Sequence, residues 1–550
     1  MRRRVTGAAW AVVAVLVLCG CAGIPTSGGV QSGPIITEQL DPEFVVLPSG
    51  PRAGATQEEI LADFMQAMRG PQGDYAIARE FLSADLARNW DPDARVLIRT
   101  SNVTTKAGPA RNSTIYSLTS TARVDADGRY FEQKPRVQGL EFRFVKEHGQ
   151  WRISRAPDGI VLSQSSFRVV FTERALYFFD PSFGYLVPDV RWFPARATVS
   201  VRIARTLLAG PASWLSGSVR SAFPVGTALG RGGVQSRGGS VVVDLNARAL
   251  SASTLDRARM RQQLAVTLGV SDVVLTVASA ELTADTSSAV VDPGVDAPVL
   301  VGTPTGFGFD SGSGIESVPG VSGAVVRLKA RAVALASGND SAAVLSGDGQ
   351  VYLVNATGAT LLDRRPGLSA PSIDPFGYVW SAQAANASSV TTHDERGLEH
   401  PAKSPVQGGS IVSLAVSRDG ARLLLYFSTP GGPRLAVAGI LRGDKNVPTG
   451  LGPLLLLPAP AGKPIGAAWV DDRTVATASR SGAGVAITAF EIGGASASLG
   501  QVPDATTIVG GNGGLVGIRL LRSNGEVWRP QGGGGWVSTG IVASVLATKQ

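Results

Sequence analysis

Side chains suited to nucleophilic or metal chemistry are scarce in this sequence. Its 550 residues include two cysteines, Cys19 and Cys21, and three histidines, His148, His393 and His400. The histidines are scattered, and His148 and His393 lie in stretches that predict turns, so neither a zinc site nor a cysteine–histidine nucleophile is expected. A serine–histidine–aspartate triad would have to use one of these three imidazoles, and we predict that none of them is catalytic.

Cys21 is the cysteine that we expect to be chemically modified. It follows the basic segment Met1-Arg2-Arg3-Arg4 and an apolar run from Ala8 to Leu18. This order of a basic region, an apolar region and small residues is typical of a secretory signal. The ending Leu18-Cys19-Gly20-Cys21 resembles a bacterial lipobox, in which the last cysteine is lipidated and the chain is cut before it.

The predicted signal peptide covers residues 1–20, and the mature chain is expected to start at Cys21. The apolar run is shorter than the roughly 20 residues that span a bilayer. Each buried acyl CH2 contributes about 0.8 kcal/mol, and stable anchoring takes more than one chain. We therefore expect a lipid-anchored protein on the extracytoplasmic face of the cell membrane. Cys19 is a weaker acceptor because bulky Leu18 precedes it, and an ordinary signal cut near Ala22 is the alternative.

The composition predicts a multidomain globular protein without disulfide bonds. The chain carries 51 lysines and arginines against 43 aspartates and glutamates, a formal charge of +8. Without residues 1–20, which hold three arginines and no acid, the charge is +5. Such a mild charge does not indicate a nucleic-acid partner. One cysteine in the mature chain leaves no internal disulfide, although the compartment would permit one.

Several patterns that suggest ligand binding are incomplete. Asp125-Ala126-Asp127-Gly128 suggests a calcium loop, yet it lacks a third carboxylate and the glutamate at position 12. The glycine-rich stretches Gly302–Gly314 and Gly510–Gly517 lack the dinucleotide pattern and a following helix. Arg231-Gly232-Gly233 and Arg237-Gly238-Gly239 predict a flexible hairpin rather than an RNA-binding segment. We therefore predict no catalytic residue, no cofactor and no metal site, and a protein that is not an enzyme.

The elements that follow Cys21 begin with a linker and a mixed domain. Residues 21–55 are rich in glycine, proline and serine and predict a flexible tether. Thr56-Gln57-Glu58-Glu59 predicts a capping box that opens a helix, and a second helix is expected around Phe81. After these helices, β-forming runs separated by Asp-Gly and His-Gly turns predict an antiparallel sheet. Residues 56–165 thus resemble a cone-shaped, nuclear-transport-factor-like α+β domain, a fold that often holds a small-ligand pocket.

A second α+β domain is predicted over residues 166–285. Helices are expected around Ile203 and Leu264, the latter capped by Gly269, and the glycine-rich segment Leu229–Ser240 is expected to be a loop. The predicted strands are Phe167–Val170, Leu176–Phe179, Val241–Leu245 and Val273–Val277.

Four segments of this region resemble a GerMN domain when taken in order. They are Leu207-Leu208-Ala209-Gly210-Pro211, Phe223-Pro224-Val225-Gly226-Thr227, Val241-Val242-Val243-Asp244-Leu245 and Gln263-Leu264-Ala265-Val266-Thr267-Leu268. GerMN domains occur in sporulation and cell-envelope proteins of Gram-positive bacteria and are regarded as binding modules. The resemblance therefore implies a binding role for this domain.

Residues 296–548 are predicted to form an all-β, propeller-like domain after a small polar linker at 283–296. From about Val299 no helix is expected. An apolar strand, a turn of Ser/Asp-x-Asp-Gly type and a second strand recur at a spacing of roughly 35–50 residues, which suits four-stranded blades. Residues 299–326 are expected to supply part of a sixth unit, and a β-sandwich is the competing architecture. The five recurring units contain Val333–Leu345, Ser372–Trp380, Val412–Tyr426, Ile465–Ala476 and Asn524–Trp528.

This order of lipobox, tether, α+β domain, GerMN-like domain and propeller resembles the actinobacterial lipoprotein LpqB family. Cys21–Ser27 and Leu176–Trp192 carry the resemblance further. It implies an accessory role in two-component signalling, in which the lipoprotein associates with the extracytoplasmic part of the sensor histidine kinase MtrB and influences signalling to MtrA. Cell-envelope homeostasis and division are the implied processes. A cell-wall-binding scaffold and an envelope hydrolase acting on glycan or peptide are the alternatives.

Overall fold

A computed structural model describes residues 48–285, 290, 291, 294, 298–510 and 513–550. The predicted signal peptide, Cys21 and most of the predicted tether lie outside these residues. The described residues belong to one compact unit. That unit contains an N-terminal α+β domain, a middle α+β domain and a C-terminal all-β domain, as the sequence predicted.

The N-terminal domain packs three short helices against a five-stranded sheet. The sheet order is β4-β3-β2-β1-β5, with a parallel pair between β1 and β5 and antiparallel pairs elsewhere. The elements are α1 (Gln57–Ala67), α2 (Gln72–Arg79), α3 (Ala84–Asn89), β1 (Arg95–Ala107), β2 (Ser113–Asp125), β3 (Tyr130–Glu147), β4 (Gln150–Arg155) and β5 (Ile160–Ser163).

The capping box that starts α1 is confirmed. Thr56 Oγ1 accepts a hydrogen bond from Glu59 N at 3.3 Å, and Glu59 Oε2 accepts one from Thr56 N at 2.8 Å. Both bonds satisfy N–H groups that have no partner inside a helix. The second predicted helix is divided into α2 and α3, because Phe81 and Ser83, in the connection, form backbone hydrogen bonds to Ile153 of β4 at 2.9 and 2.8 Å.

Aromatic side chains fill the interior of this domain. Phe64 contacts Trp90 at 5.6 Å between ring centroids and Phe142 at 6.2 Å. The cavity beside Met68 and Phe142 holds about 10 Å³, the space of a single water molecule at most. The small-ligand pocket that such a cone-shaped fold often contains is therefore absent at this place in the described domain.

The middle domain combines a β-hairpin, three helices and a four-stranded sheet of order β11-β10-β9-β8. The hairpin strands β6 and β7 pair antiparallel, and within the sheet β9 and β10 are parallel. The elements are α4 (Gln164–Val170), β6 (Phe171–Phe179), β7 (Leu186–Pro194), α5 (Val199–Ala209), β8 (Leu229–Arg237), β9 (Ser240–Leu245), α6 (Thr254–Leu268), β10 (Val273–Val277) and β11 (Ala280–Glu281).

Two predictions for this domain are wrong. Phe167–Val170 is helical rather than a strand, because Ser163 Oγ accepts from Ser166 N at 3.1 Å and caps α4. The spacing of Phe167 and Val170 then places both in the core of the N-terminal domain. The glycine-rich segment Leu229–Ser240 is mainly strand β8 rather than a loop, because its backbone pairs with β9. The turn of this segment is limited to Gly238 and Gly239.

The C-terminal domain is a ring of six four-stranded blades. Five blades follow one another along the chain, and the innermost strand of each lies beside that of the next. The first three of these contain β15 (Ala332–Leu335), β16 (Ser341–Leu345), β17 (Val351–Asn355), β18 (Gly358–Asp363), β19 (Ser372–Ile373), β20 (Val379–Ser381), β21 (Thr391–His393), β22 (Glu399–Pro401), β23 (Ser410–Val416), β24 (Arg422–Thr429), β25 (Gly432–Arg442) and β26 (Pro448–Leu457). The other two contain β27 (Lys463–Trp469), β28 (Thr474–Ser481), β29 (Gly484–Glu491), β30 (Ser496–Val502), β31 (Ala505–Val509), β32 (Arg519–Arg522), β33 (Glu526–Gln531) and β34 (Gly535–Val542).

Both ends of the domain's chain contribute to the sixth blade. Its strands β12 (Leu300–Gly302), β13 (Phe307–Asp310) and β14 (Ile315–Ser317) are joined by the last strand, β35 (Val545–Lys549). β35 pairs antiparallel with β12 and parallel with β15. The last strand therefore closes the ring, which leaves no open sheet edge between the first and last blades.

The expectation that no helix occurs after Val299 is wrong. Helix α7 (Ser322–Arg327) connects β14 of the sixth blade to β15 of the first. Val321, Ala324 and Val325 are spaced for one helical face, and all three are buried in a core cluster with the first blades. The helix has only six residues, and its apolar residues are small, so too few apolar positions repeat at helical spacing for the sequence to predict it.

Hydrophobic cores cross the domain boundaries. Leu176 and Leu207 of the middle domain belong to the same buried cluster as Tyr426 and Trp469 of the propeller. Phe167 of the middle region is part of the core of the N-terminal domain. Because separating the domains would expose this apolar surface to water, the three domains form a connected body.

Candidate functional site

The three domains meet at one turn of the propeller, between β29 and β30, which we call the 491–496 turn. Ser496 donates from its backbone N and from its Oγ to the two carboxylate oxygens of Glu132, each at 2.8 Å. Trp192 Nε1 donates to the carbonyl oxygen of Gly493 at 2.8 Å. Glu132 belongs to the N-terminal domain and Trp192 to the middle domain, so a single turn is bound by both.

Trp192 connects all three domains. Its backbone N donates to the carbonyl oxygen of Gly128, in the N-terminal domain, at 2.7 Å. Its ring lies 5.8 Å from that of Tyr130 and 4.8 Å from that of Phe167, measured between centroids. The Asp-Gly turn that the sequence placed at Gly128 is confirmed, and its role here is to supply a hydrogen-bond acceptor rather than a calcium ligand.

Gly493 occupies a position that only glycine fits. Its φ is +86°, and a Cβ atom there would lie 2.9 Å from Val190 Cβ and 3.0 Å from the Val190 carbonyl oxygen. L-residues rarely adopt such a φ, and contacts this short do not occur between real side chains. The close approach of β7 to the 491–496 turn therefore depends on this glycine.

A pair of carboxyl groups lies beside the same turn. Glu173, on β6, faces Glu491, at the end of β29, and its Oε1 is 3.3 Å from Nη1 of Arg473. Burial and the hydrogen bond and negative charge of Glu491 raise the pKa of Glu173 to about 7, although Arg473 opposes the shift. Glu173 is therefore protonated below about pH 7, and above it the carboxylate of Glu173 is repelled by the charge of Glu491.

The middle domain contains a second, fully buried ion pair. Arg191 Nη2 lies 2.7 Å from Asp189 Oδ2, and both side chains are almost completely excluded from solvent. Arg191 also donates to the carbonyl oxygen of Asp127 at 2.8 Å, and Asp189 accepts from Ala212 N at 2.8 Å. The Leu207–Pro211 segment of the GerMN-like pattern therefore leads directly into a residue that this ion pair anchors.

Asp244, the acid of the GerMN-like pattern, is a structural anchor. It accepts hydrogen bonds from Gly232 N at 3.0 Å, Thr276 Oγ1 at 2.9 Å and Ser279 N at 3.2 Å. Burial opposes ionisation, but these bonds outweigh it and hold the pKa of Asp244 below its usual value. A Cβ atom at Gly230 would collide with its carboxylate. Gly230 and Gly232 of β8 are thus required by packing around Asp244.

The three histidines do not come together. His393 is the last residue of β21 rather than part of the predicted turn, and it is buried. Burial lowers the pKa of its imidazole, and its Nδ1 has no hydrogen-bond partner among the described residues. His400 Nε2 lies 3.7 Å from Asp394 Oδ2. His148 occupies the predicted turn, with φ of +50°. Where the chain is described, no three histidine, cysteine, aspartate or glutamate side chains form a group that would hold a metal.

The propeller encloses a channel of about 360 Å³ along its inner strands. The charged side chains that line it are Arg331, Arg418 and Lys549. Arg418 also lines a cavity of about 530 Å³ between the propeller and the middle domain, together with Tyr177 and Asp471. The channel and this cavity therefore share one wall, and neither is lined by Glu173 or Glu491.

The glutamates where the three domains meet could not be predicted from the sequence. Glu132, Glu173 and Glu491 are single glutamates in ordinary strand sequences, and they are separated by 41 to 359 positions along the chain. A local signal existed only for the turn itself, which has Gly-Gly at 493–494 between two strands. The predicted lipidation site, Cys21, lies outside the described residues. No helix in the described part of the chain is long and apolar enough to cross a membrane.

Two protein-family models match this chain. The model "Lipoprotein LpqB, N-terminal domain" matches residues 50–168, and the model "Lipoprotein LpqB beta-propeller domain" matches residues 308–544. Together they cover more than half of the 550 residues. They agree with the first and third domains, whereas the GerMN-like assignment of the middle domain and the domain boundaries stay predictions.

Curated relatives from several actinobacteria carry the same family name. Lipoprotein LpqB of Cutibacterium acnes is 31% identical over 258 residues, which span 46% of this chain and 43% of that relative. Those of Streptomyces avermitilis and Bifidobacterium longum are 27% and 28% identical, and each match covers 81% of this chain and 80% of the relative. Since two domain models and matches over most of the chain give one family, this protein belongs to the LpqB lipoprotein family.

Proposed function

We propose that this protein is a lipid-anchored, extracytoplasmic binding protein that modulates a sensor histidine kinase of the MtrB type in cell-envelope homeostasis and division. The observation that carries the proposal is the three-domain junction. Ser496, Gly493 and Glu491 of one propeller turn contact two other domains, so the protein is built as one connected body. A partner that binds any one domain thereby contacts a preorganised surface rather than a loose module.

The chemistry of the buried charges also favours binding over catalysis. Glu173 and Glu491 are close enough to hydrogen-bond, whereas the carboxyl groups of retaining glycosidases lie about 5 Å apart with the substrate between them. Asp189 and Asp244 use their oxygens to hold backbone N–H groups. These acids therefore stabilise domain contacts and strand geometry, which is the task expected in a non-enzymatic protein.

The proposed function is tested by co-purifying the full-length protein from crosslinked cells and identifying the proteins bound to it. We expect a sensor kinase with a large extracytoplasmic domain among them, and a change in kinase output when the protein is deleted. The matched control is Cys21→Ala, which should retain the folded body but lose the anchor and retrieve less kinase.

Other results would support the alternatives. Recovery of wall fragments without a kinase, together with sedimentation on purified peptidoglycan, would favour a cell-wall-binding scaffold. Turnover of wall fragments that is lost in Glu173→Gln would favour an envelope hydrolase. Unchanged kinase output after deletion, with no kinase retrieved, would contradict the proposed function.

A further inference from the structure

Helix α5 and strand β8 of the middle domain form the walls of a groove of about 530 Å³, which we call the α5–β8 groove. β8 is the last strand in the sheet order, so its second edge has no strand partner within the described part of the chain. An edge strand presents unpaired N–H and C=O groups that can pair with another chain. The groove is therefore open to a segment that runs alongside β8.

The groove is lined by apolar and positively charged residues. Val201, Leu208 and Leu229 contribute apolar surface, and Arg205 and Arg231 are the charged residues. Both arginines are exposed, and neither lies in an ion pair with a described carboxylate. Since no aspartate or glutamate lines the groove, its charge is complementary to an acidic ligand.

The backbone of β8 is accessible because of its glycines. Leu229 pairs with Leu245 and Val234 with Val243, so the four residues between them on β8 oppose Asp244 alone. Gly230 and Gly232 leave room for Asp244, which accepts from Gly232 N at 3.0 Å, whereas a Cβ at Gly233 would meet nothing within 4 Å. A neighbouring backbone can therefore come within hydrogen-bonding distance of this part of β8.

Two segments of the GerMN-like pattern line the groove. Leu208 and Ala209 come from the first segment and Thr227 from the second. Thr227 donates from Oγ1 to the Pro224 carbonyl oxygen at 2.7 Å, which fixes the turn that leads into β8. The pattern thus builds the two walls of the groove as well as the core of the domain.

We propose that the α5–β8 groove binds an extended, acidic peptide segment of a partner protein by adding it as a strand to β8. Main-chain hydrogen bonds along β8 would supply affinity, and alternate side chains would contact the apolar residues of the groove. Carboxylates on the segment would face Arg205 and Arg231, whose guanidinium groups match carboxylate geometry. This inference rests on the proposed function for the identity of the partner as a membrane kinase, but the peptide chemistry stands on the groove alone.

The experiment selects random peptides of about eight residues, matched to the nine-residue β8, on the full-length protein in detergent. We expect acidic peptides rich in β-branched residues to be enriched. Arg205→Glu combined with Arg231→Glu should weaken their binding by about tenfold or more, because the charges then repel. Arg237→Glu is the matched control, since it changes an exposed arginine of β8 outside the groove. Hydrogen exchange should slow along β8 when peptide binds.

The outcomes separate this inference from the proposed function. The proposed peptide binding would be overturned if acidic peptides were not enriched. It would also be overturned if the Arg205/Arg231 double variant bound them as tightly as the unaltered protein. Competition by polyphosphate without slower exchange along β8 would indicate a general anion site and would overturn strand addition. If the double variant still retrieves the kinase from crosslinked cells, the groove fails as the docking site while the proposed function stands. If the unaltered protein retrieves no kinase, the proposed function fails whatever the peptides show.

Discussion

At the scale of single residues, Glu173 shows how a domain contact changes the acidity of an ordinary side chain. In the unfolded chain its pKa is near 4.5, and in the folded protein it is about 7 because of burial and Glu491. A raised carboxyl pKa stabilises the native state fully below pH 4.5. That contribution is lost as pH rises through about 7. The junction is therefore expected to be weaker in alkaline than in mildly acidic surroundings.

Glu173→Gln should remove this pH dependence. An uncharged amide imitates the protonated carboxyl, so at pH 8 the variant is expected to be more stable by about 1 kcal/mol, allowing for solvent screening. Melting temperatures measured from pH 5 to pH 8 test this, and the melting temperature of the variant should change less with pH than that of the unaltered protein. Glu132→Gln is the control, because it weakens the bonds to Ser496 and should lower stability instead. Parallel curves for Glu173→Gln and the unaltered protein would contradict the interpretation.

Cys21 carries the second prediction at this scale. Cys21→Ala should move the protein from the membrane fraction to the soluble fraction in high salt, because the acyl chains that hold it are lost. Cys19→Ala is the matched control and should stay with the membrane. Fractionation followed by mass spectrometry of the N-terminal peptide measures both. If the two variants behave alike, the anchor is not at Cys21.

At the scale of elements, the 491–496 turn decides how closely the propeller approaches the hairpin of β6 and β7. Gly493→Ala would place a methyl group 2.9 Å from Val190 Cβ at a φ of +86°. We expect a loss of about 1–3 kcal/mol in the free energy of unfolding, together with faster proteolytic cleavage at the junction. Urea unfolding and limited proteolysis are the measurements.

Gly482→Ala separates backbone strain from the collision between domains. Gly482 also has a positive φ, +61°, in the neighbouring turn between β28 and β29, but nothing lies within 4 Å of its would-be Cβ. It should cost stability through strain alone and leave proteolysis at the junction unchanged. Equal proteolysis of the two variants would show that contact with Val190 is unimportant.

At the scale of the whole molecule, the shared hydrophobic cores predict cooperative unfolding. Leu176 and Leu207 share a cluster with Tyr426 and Trp469, so unfolding the middle domain would expose propeller surface as well. We expect a single thermal transition for the middle domain and the propeller, and coincident curves from fluorescence and circular dichroism. Two separated transitions, with a propeller that melts independently, would contradict a connected body.

Sequence reasoning was most accurate where the physical cause is local. The capping box at Thr56 needs only two side chains three residues apart, and the turn at His148–Gly149 needs only its own backbone. The propeller was recognisable because one supersecondary unit recurs along the chain. The same reasoning failed at Phe167–Val170, where a run of apolar residues predicted a strand. In the structure Phe167 and Val170 lie three positions apart on the buried face of a short helix.

The sequence by itself determined the family, the order of the domains, the predicted lipidation site and the blade-like repeats, because each depends on residues that are close together or on their order. Only the tertiary structure decided which residues meet across domains. Glu173 and Glu491 are 318 positions apart, and β35 closes the ring by pairing with β12, about 245 residues earlier. Such contacts form through long-range packing of complementary surfaces, and single carboxylates and short strands carry no local signal of their partners.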